Sequence, residues 1–441
     1  MNRFLRFNIL MAMMIFVMTG CGDNNKQQPE IVVENEAALT QTIYADETSE
    51  SISFVTTSAW TSSISKTGEW ISIEPEYGDS AGTYTITIIL KPNTTGGDRS
   101  ASITFSCNKT DIFAHVTQKA LYKDGTLAPQ KGDVYVAGYD GHFAKLWKNG
   151  IAQNLNDGPF NAEAYSVYVS GSDVYVAGVE NSIIGYVAKL WKNGVSQNLT
   201  DKPRTSANSV YVSGNDVYVA GYEYNADGFV FGVVWKNGIA QNLTAETQTA
   251  KTQNLATSIY VSGGDVYVAG SGLGGINGLS DVATVWKNGK AQKLTDGTWG
   301  ATAHSVYVSG NNVYVAGNDR IDAIVWKDGV VQNLSDGTYE AMANSVYISD
   351  GVVYVAGYVR GGELGLTIAT IWENNIAQKL TNGTGLAQAK SVFVSGSDVY
   401  VAGYDSRRET YTSIPFAVLW KNGITQSLTD GTHANSVFVV E

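Results

Sequence analysis

The chain carries four histidines, His115, His142, His304 and His433. As metal ligands or proton carriers they would need partners at short, regular spacing, and no pair has it. No nucleophile-elbow or phosphate-loop pattern is present either. We therefore assign no catalytic residue and no metal ligand, expect no cofactor, and do not expect an enzyme. A constellation assembled from distant segments, with His304 or His142 in it, stays open. Carboxylates gather in "YNADG" (residues 224–228) and "NDRID" (residues 318–322). Neither has the regular oxygen spacing of a calcium loop, so both read as turns or ion pairs. Arg407, Arg408 and Glu409 read as a solvated loop tip.

A second group of residues is selected by repetition. "DVYVAG" or a variant ends at Gly138, Gly178, Gly221, Gly270, Gly317, Gly357 and Gly403. The tryptophan of "LWKNG" recurs as Trp147, Trp191, Trp235, Trp286, Trp326, Trp372 and Trp420. "SVYV" and its variants start at Ser166, Ser209, Ser258, Ser305, Ser345, Ser391 and Ser436, in steps of 43, 49, 47, 40, 46 and 45 residues. The residue before each serine changes while its neighbours hardly do: Tyr165, Asn208, Thr257, His304, Asn344, Lys390 and Asn435. Hydrogen-bonding groups of this kind around a funnel suit a polar ligand such as a glycan or a peptide loop. The alternative is a ring of solvated rim residues.

The elements that position this ring follow from the same repeat. Each copy holds four β-prone runs: a ("SVYVSG"), b ("DVYVAGY"), c ("AKLWKNG") and d ("IAQNLTDG"). Glycine-containing turns join a to b and c to d, as in tight hairpins. Four antiparallel strands at this period match one blade of a β-propeller. The recurring tryptophans fit packing between blades. The first copy begins at run b, Asp133, and the last, "ANSVFVVE", stops after run a. A propeller must close or leave strand edges open, so the C-terminal run completes the first blade and the count is seven. With a innermost, the varied position lies at the mouth of the central channel. The b–c and d–a connections, which differ greatly between copies, emerge on that same face. Insertions gathered on one face of a repeat protein mark its binding face. The plan resembles kelch-like and related lipoprotein propellers, without the kelch double glycine or the Trp-Asp dipeptide of other blades.

Before the repeats, residues 31 to about 119 read as short alternating strands with Gly/Asn/Asp turns, a compact β-sandwich. Trp60, "WISI" from Trp70 to Ile73 followed by Pro75 and Gly78, then Asn93, Arg99 and a closing "VTQ" with Gln118 occur in one order. That order resembles the BACON domain, a module found mostly in Bacteroidetes. The resemblance implies carbohydrate binding for the family at large, although some members serve as spacers. Trp60 and Trp70 are the sugar-stacking candidates, and the apolar/polar alternation around them favours core positions instead.

The chain opens with Arg3 and Arg6, an apolar run from Phe7 to Met18 too short to span a bilayer comfortably, and Met18-Thr19-Gly20-Cys21. This resembles a bacterial lipobox, which implies lipidation at Cys21 and a membrane anchor in the cell envelope. Asp23, beside Lys26, is all that supports display on the cell surface. With Cys21 lipidated, Cys107 has no disulfide partner and reads as a small buried residue. Cleavage of the leader removes two arginines and takes the formal charge from −12 to −14. So acidic a chain lacks the basic footprint of a nucleic-acid binder. With 47 glycines, 7 prolines and no convincing amphipathic helix after the leader, the chain is all-β. The expected organisation is a lipoprotein leader (1–20), a tether (21–30), an immunoglobulin-like β-sandwich (31–120), a linker (121–132) and a seven-bladed β-propeller (133–441). The expected role is non-catalytic binding on the loop face, with a glycan as the leading ligand because of the BACON resemblance. A protein-interaction scaffold in an outer-membrane complex and a propeller glycan hydrolase or lyase are the alternatives.

Overall fold

The computed structural model describes residues 30–33, 35–45, 47–65, 69–93, 97–120, 128–183, 185–225, 227–243, 254–274, 280–361, 365–409 and 412–441. The expected leader, Cys21 and the tether to residue 29 lie outside the described residues, as do 121–127 of the expected linker, Ala226 within 224–228 and the side chains of Arg407, Arg408 and Glu409. The chain divides into two compact units, each described by itself.

The N-terminal strands form two sheets. One orders Ile31–Val33, Ser49–Thr56, Gly82–Leu90 and Ile71–Glu74; the other orders Thr40–Ile43, Thr110–Gln118, Arg99–Cys107, Trp60–Ser65 and Tyr77–Gly78. The strands alternate buried and open residues, as a two-layer sheet requires. Trp60 and Trp70 are 2 % and 5 % exposed. Trp60 meets Phe54 edge-on at 5.0 Å and Tyr84 at 5.3 Å, so neither tryptophan offers a face to a sugar. Cys107 is buried and free. Asn93, Arg99 and Gln118 have a common task. Arg99 donates to Gln118 Oε1 (2.9 and 2.7 Å) and to the carbonyls of Lys91 and Pro92, while Asn93 Nδ2 donates to the carbonyls of Gly97, Gln118 and Lys119. Side chains thus supply the donors that the irregular turn lacks.

The remaining strands form a β-propeller. Among the described residues it holds seven four-stranded antiparallel sheets. Blade 2 runs outward from Ala162–Ser170 through Asp173–Glu180 and Val187–Lys192 to Val195–Asn198; blades 3 to 7 repeat this, with inner strands Ser206–Ser213, Asn254–Ser262, Ala301–Ser309, Ala341–Ser349 and Gln388–Ser395. Blade 1 takes Val134–Tyr139, Ala144–Lys148 and Ile151–Asn154 from the start of the repeats. Its inner strand is His433–Val439 from the end.

Two rings join the blades around the axis. Each inner-strand serine accepts a backbone N–H from the next blade at 3.1–3.2 Å. The circuit runs Ser166 to Val210, Ser209 to Ile259, Ser258 to Val306, Ser305 to Val346, Ser345 to Val392, Ser391 to Val437, and Ser436 back to Val167. Two residues further along, Tyr168, Tyr211, Tyr260, Tyr307, Tyr347, Phe393 and Phe438 form a closed ring of tilted contacts with centroids 4.7–5.1 Å apart. The strand-c tryptophans are buried against the preceding blade: Trp191 against Ala137, Ala144 and Leu146, and Trp147 against Ala402, Ala417 and Leu419. Truncating such a residue to alanine costs about 3–5 kcal/mol.

Candidate functional site

Every inner strand carries a β-bulge at the same place. In blade 2, Ala164 pairs with Gly178 and Ser166 with Ala177, so Tyr165 is skipped. The same shift skips Asn208, Thr257, His304, Asn344, Lys390 and Asn435. The glycine of "VAG" permits it: a Cβ on Gly178 would overlap the Glu163 carbonyl oxygen, and the equivalent glycines meet the same obstacle. A bulge re-aims a side chain. Here it sets seven half-buried residues at the end of the inner strands where the b–c and d–a connections begin.

Four of the seven are occupied in holding blades together. Asn208 donates to the Ala256 carbonyl at 2.7 Å, Asn344 to Ala389 at 2.8 Å and Asn435 to Ala164 at 2.9 Å. Thr257 donates to Ala303 at 2.7 Å. Tyr165, His304 and Lys390 depart from this pattern. Tyr165 donates to Glu163 Oε2 at 2.9 Å. His304 Nε2 lies 3.0 Å from Asn318 Oδ1, and burial holds its pKa below the usual imidazole value, so it is neutral near pH 7. Burial likewise lowers the Lys390 ammonium, whose nearest ring is Tyr404 at 5.9 Å.

Residues outside the predicted ring complete the site. The position after each "VAG" glycine is Tyr139, Val179, Tyr222, Ser271, Asn318, Tyr358 and Tyr404. His433 stacks on Tyr139 at 4.7 Å, nearly parallel, and contacts Tyr404 at 4.6 Å. Burial, and then the Lys390 charge, push its pKa down to about 4. Tyr139 in turn feels Glu163 and Tyr404, Tyr165 feels Tyr222 and Tyr139, and Tyr358 feels Tyr404. Burial, first among the causes, raises the pKa of all five tyrosines, that of Tyr139 to about 12, so they remain neutral hydroxyl donors. Half-buried tyrosines therefore gather on blades 7, 1, 2 and 3, while Tyr358 of blade 6 is buried. Blades 4 and 5 carry Ser271 and Asn318 instead. The group ends in a cavity of about 370 Å³ lined by Tyr165, Tyr186, Tyr222, Tyr224, Glu163 and Arg204. Further out on the d–a loops, Trp299 is 56 % exposed with the Arg320 guanidinium 4.9 Å from its ring, and Tyr339 is 58 % exposed.

The sequence signal for the group was the alternation of Tyr with other residues after "VAG", inside what reads as the first letter of a variable loop. Only the register across blade 1 shows that His433 belongs with Tyr139.

The opposite face is more regular. In blade 3, Asp216 pairs with Lys236 at 2.7 Å and accepts from Asn237, and Lys236 lies over Tyr218. The same arrangement recurs in blades 1, 2, 4 and 7. A cleft of about 540 Å³ opens there beside Tyr218, Lys236 and Gln241, and its counterpart, about 220 Å³, lies beside Tyr314, Lys327 and Gln332. A cleft made by repeated positions is a property of the repeat, so the smaller, unrepeated cavity on the loop face is the better site. Among the described residues no group of three or more His, Cys, Asp or Glu is placed to hold a metal ion.

Residues 59–119 match the BACON family model, described as a putative binding domain, N-terminal. The resemblance read from the tryptophans and from Asn93, Arg99 and Gln118 is thereby shown. No curated protein matches the chain. Among solved structures, the β-propeller domain of the Trilobed protease from Pyrococcus furiosus is 11 % identical, covering 82 % of this chain and 98 % of that one (TM-score 0.40). A quinonprotein alcohol dehydrogenase-like protein from Bacteroides thetaiotaomicron is 10 % identical over 91 % and 96 % of the two chains (TM-score 0.40). A Bacteroides ovatus GH5 xyloglucanase in complex with a heptasaccharide is 24 % identical over 21 % of this chain (TM-score 0.19), and the match spans 19 % of the enzyme. The binding-domain match and the propeller fold favour a binding role in its broad sense.

Proposed function

We propose that this is a non-catalytic glycan-binding protein of the cell envelope, held by a lipid on Cys21, with its ligand on the loop face of the propeller. The observation that carries this reading is the one-sided group of half-buried tyrosines Tyr404, Tyr139, Tyr165 and Tyr222, ending in the cavity beside Arg204. Tyrosine faces stack on the C–H faces of sugars, and their hydroxyls, neutral throughout the physiological range, hydrogen-bond to sugar hydroxyls. Half-burial keeps the rings ordered before a ligand arrives, which lowers the entropic cost of binding.

A glycan array probed with the full chain tests the reading. Signal on a related group of glycans is expected. Silence across a broad array of neutral and acidic glycans would remove it and leave the loop face to a protein partner in an envelope complex.

A further inference from the structure

The aromatic group is bounded by two cations that lack a carboxylate. Three lysines of the loop face are ion-paired: Lys145 with Asp140 at 3.0 Å, Lys189 with Glu180 and Lys202 with Glu223. Lys390 is different. Among the described residues its ammonium has no ion pair or hydrogen bond, only the Tyr404 ring at 5.9 Å. Arg204, exposed on the wall of the 370 Å³ cavity, is likewise without an ion pair among the described residues. The carboxylate of the group, Glu163, is engaged by the Tyr165 hydroxyl. An ammonium withdrawn from water without a counter-charge is costly, and a ligand anion is the simplest group to supply one.

On the premise that the mouth binds a glycan, we propose that the glycan is acidic: a uronic-acid oligosaccharide whose sugar rings lie along Tyr404, Tyr139, Tyr165 and Tyr222 and whose carboxylates meet Lys390 and Arg204. Glu163 then faces sugar hydroxyls, for which it is an acceptor. His433 is the internal reporter. Its imidazole stands between Tyr139 and Tyr404 and feels the Lys390 charge, so an anion on Lys390 makes protonation of His433 easier.

The test is calorimetric titration of the full chain with oligogalacturonate, oligoglucuronate and oligomannuronate, each beside its carboxyl-reduced neutral form. At least one acid is expected to bind about tenfold or more tightly than its reduced form, the scale of one charge-assisted hydrogen bond. Lys390→Met should erase that preference while keeping affinity for the neutral form; Lys390→Arg should retain it. Removing an unpaired ammonium leaves the fold at least as stable, which a melting curve checks. The His433 imidazole resonances should titrate at higher pH with the acid bound than without it. Equal affinity for acid and reduced forms, unchanged in Lys390→Met, would overturn the acidic assignment and leave the glycan reading standing. Array binding to neutral glycans with no binding of any uronate would do the same, whereas silence on both removes the two together.

Discussion

His433 stands between two tyrosine rings, and its pKa of about 4 makes it neutral in the folded protein at every pH above that. In the unfolded chain an imidazole takes up its proton near pH 6.5. Between these values the unfolded state binds more protons, so stability present above pH 6.5 is lost as the pH falls towards 4. Half-buried His304, shifted the same way, adds to the loss. Melting at pH 7.5 and 4.5 checks this: wild type should lose more than His433→Gln between the two, and an equal loss in both would contradict it. The same scale shows what a single sequence conceals. The seven varied positions look alike as letters, and they do share one place in the fold. Only coordinates separate Asn208, Asn344 and Asn435, whose amides hold the next blade, from Lys390, whose ammonium holds nothing. The recurring serine was legible as a constant and not as the acceptor of a ring of inter-blade hydrogen bonds, because that partner lies 41–50 residues away within the chain and 269 away across the closure.

The elements were the most legible part. Alternation and turn glycines sufficed to place four strands per copy, since a strand buried on both faces between neighbouring blades needs Val and Tyr throughout. Left-handed Asn149 and its equivalents at the c–d turns have φ near 51°, the backbone that "KNG" signals. The bulge was not legible, because pairing register is a relation between two strands and one strand's sequence does not state it. Once seen, it explains the fixed "Ala-x-Ser" opposite "VAG". Gly178→Ala should therefore destabilise by at least about 2 kcal/mol, as a methyl is forced against a backbone carbonyl. The measurement is a denaturant midpoint, with Gly150→Ala in the open c–d turn, where no atom lies within 4 Å, separating the clash from backbone strain. Equal losses in both variants would refute the role assigned to the bulge.

The molecule as a whole is closed by its last strand. Residues 433–439 pair with Val134–Tyr139, Ser436 and Val437 complete the serine ring, and Phe438 completes the aromatic ring between Phe393 and Tyr168. Deleting residues 436–441 should lower the melting temperature by on the order of 10 °C, because an open ring exposes two blade faces at once. A truncated protein that melts like the full chain would show that closure carries no stability. Closure also brings His433 and Asn435, from the far end of the repeats, beside Tyr139 and Tyr165 at their start. The channel mouth was therefore foreseeable from the repeat, while its one-sidedness was not.

That one-sidedness is tested most directly by probing a glycan array with the full chain and with the Tyr139→Ala/Tyr404→Ala double variant, after checking that the variant keeps a cooperative melt. The predicted result is binding by the wild type that falls about 5- to 150-fold in the variant, two lost stacking contacts of 0.5–1.5 kcal/mol each. Binding that survives the double substitution would place the site elsewhere, and a wild type that binds no glycan would contradict the glycan-binding function itself.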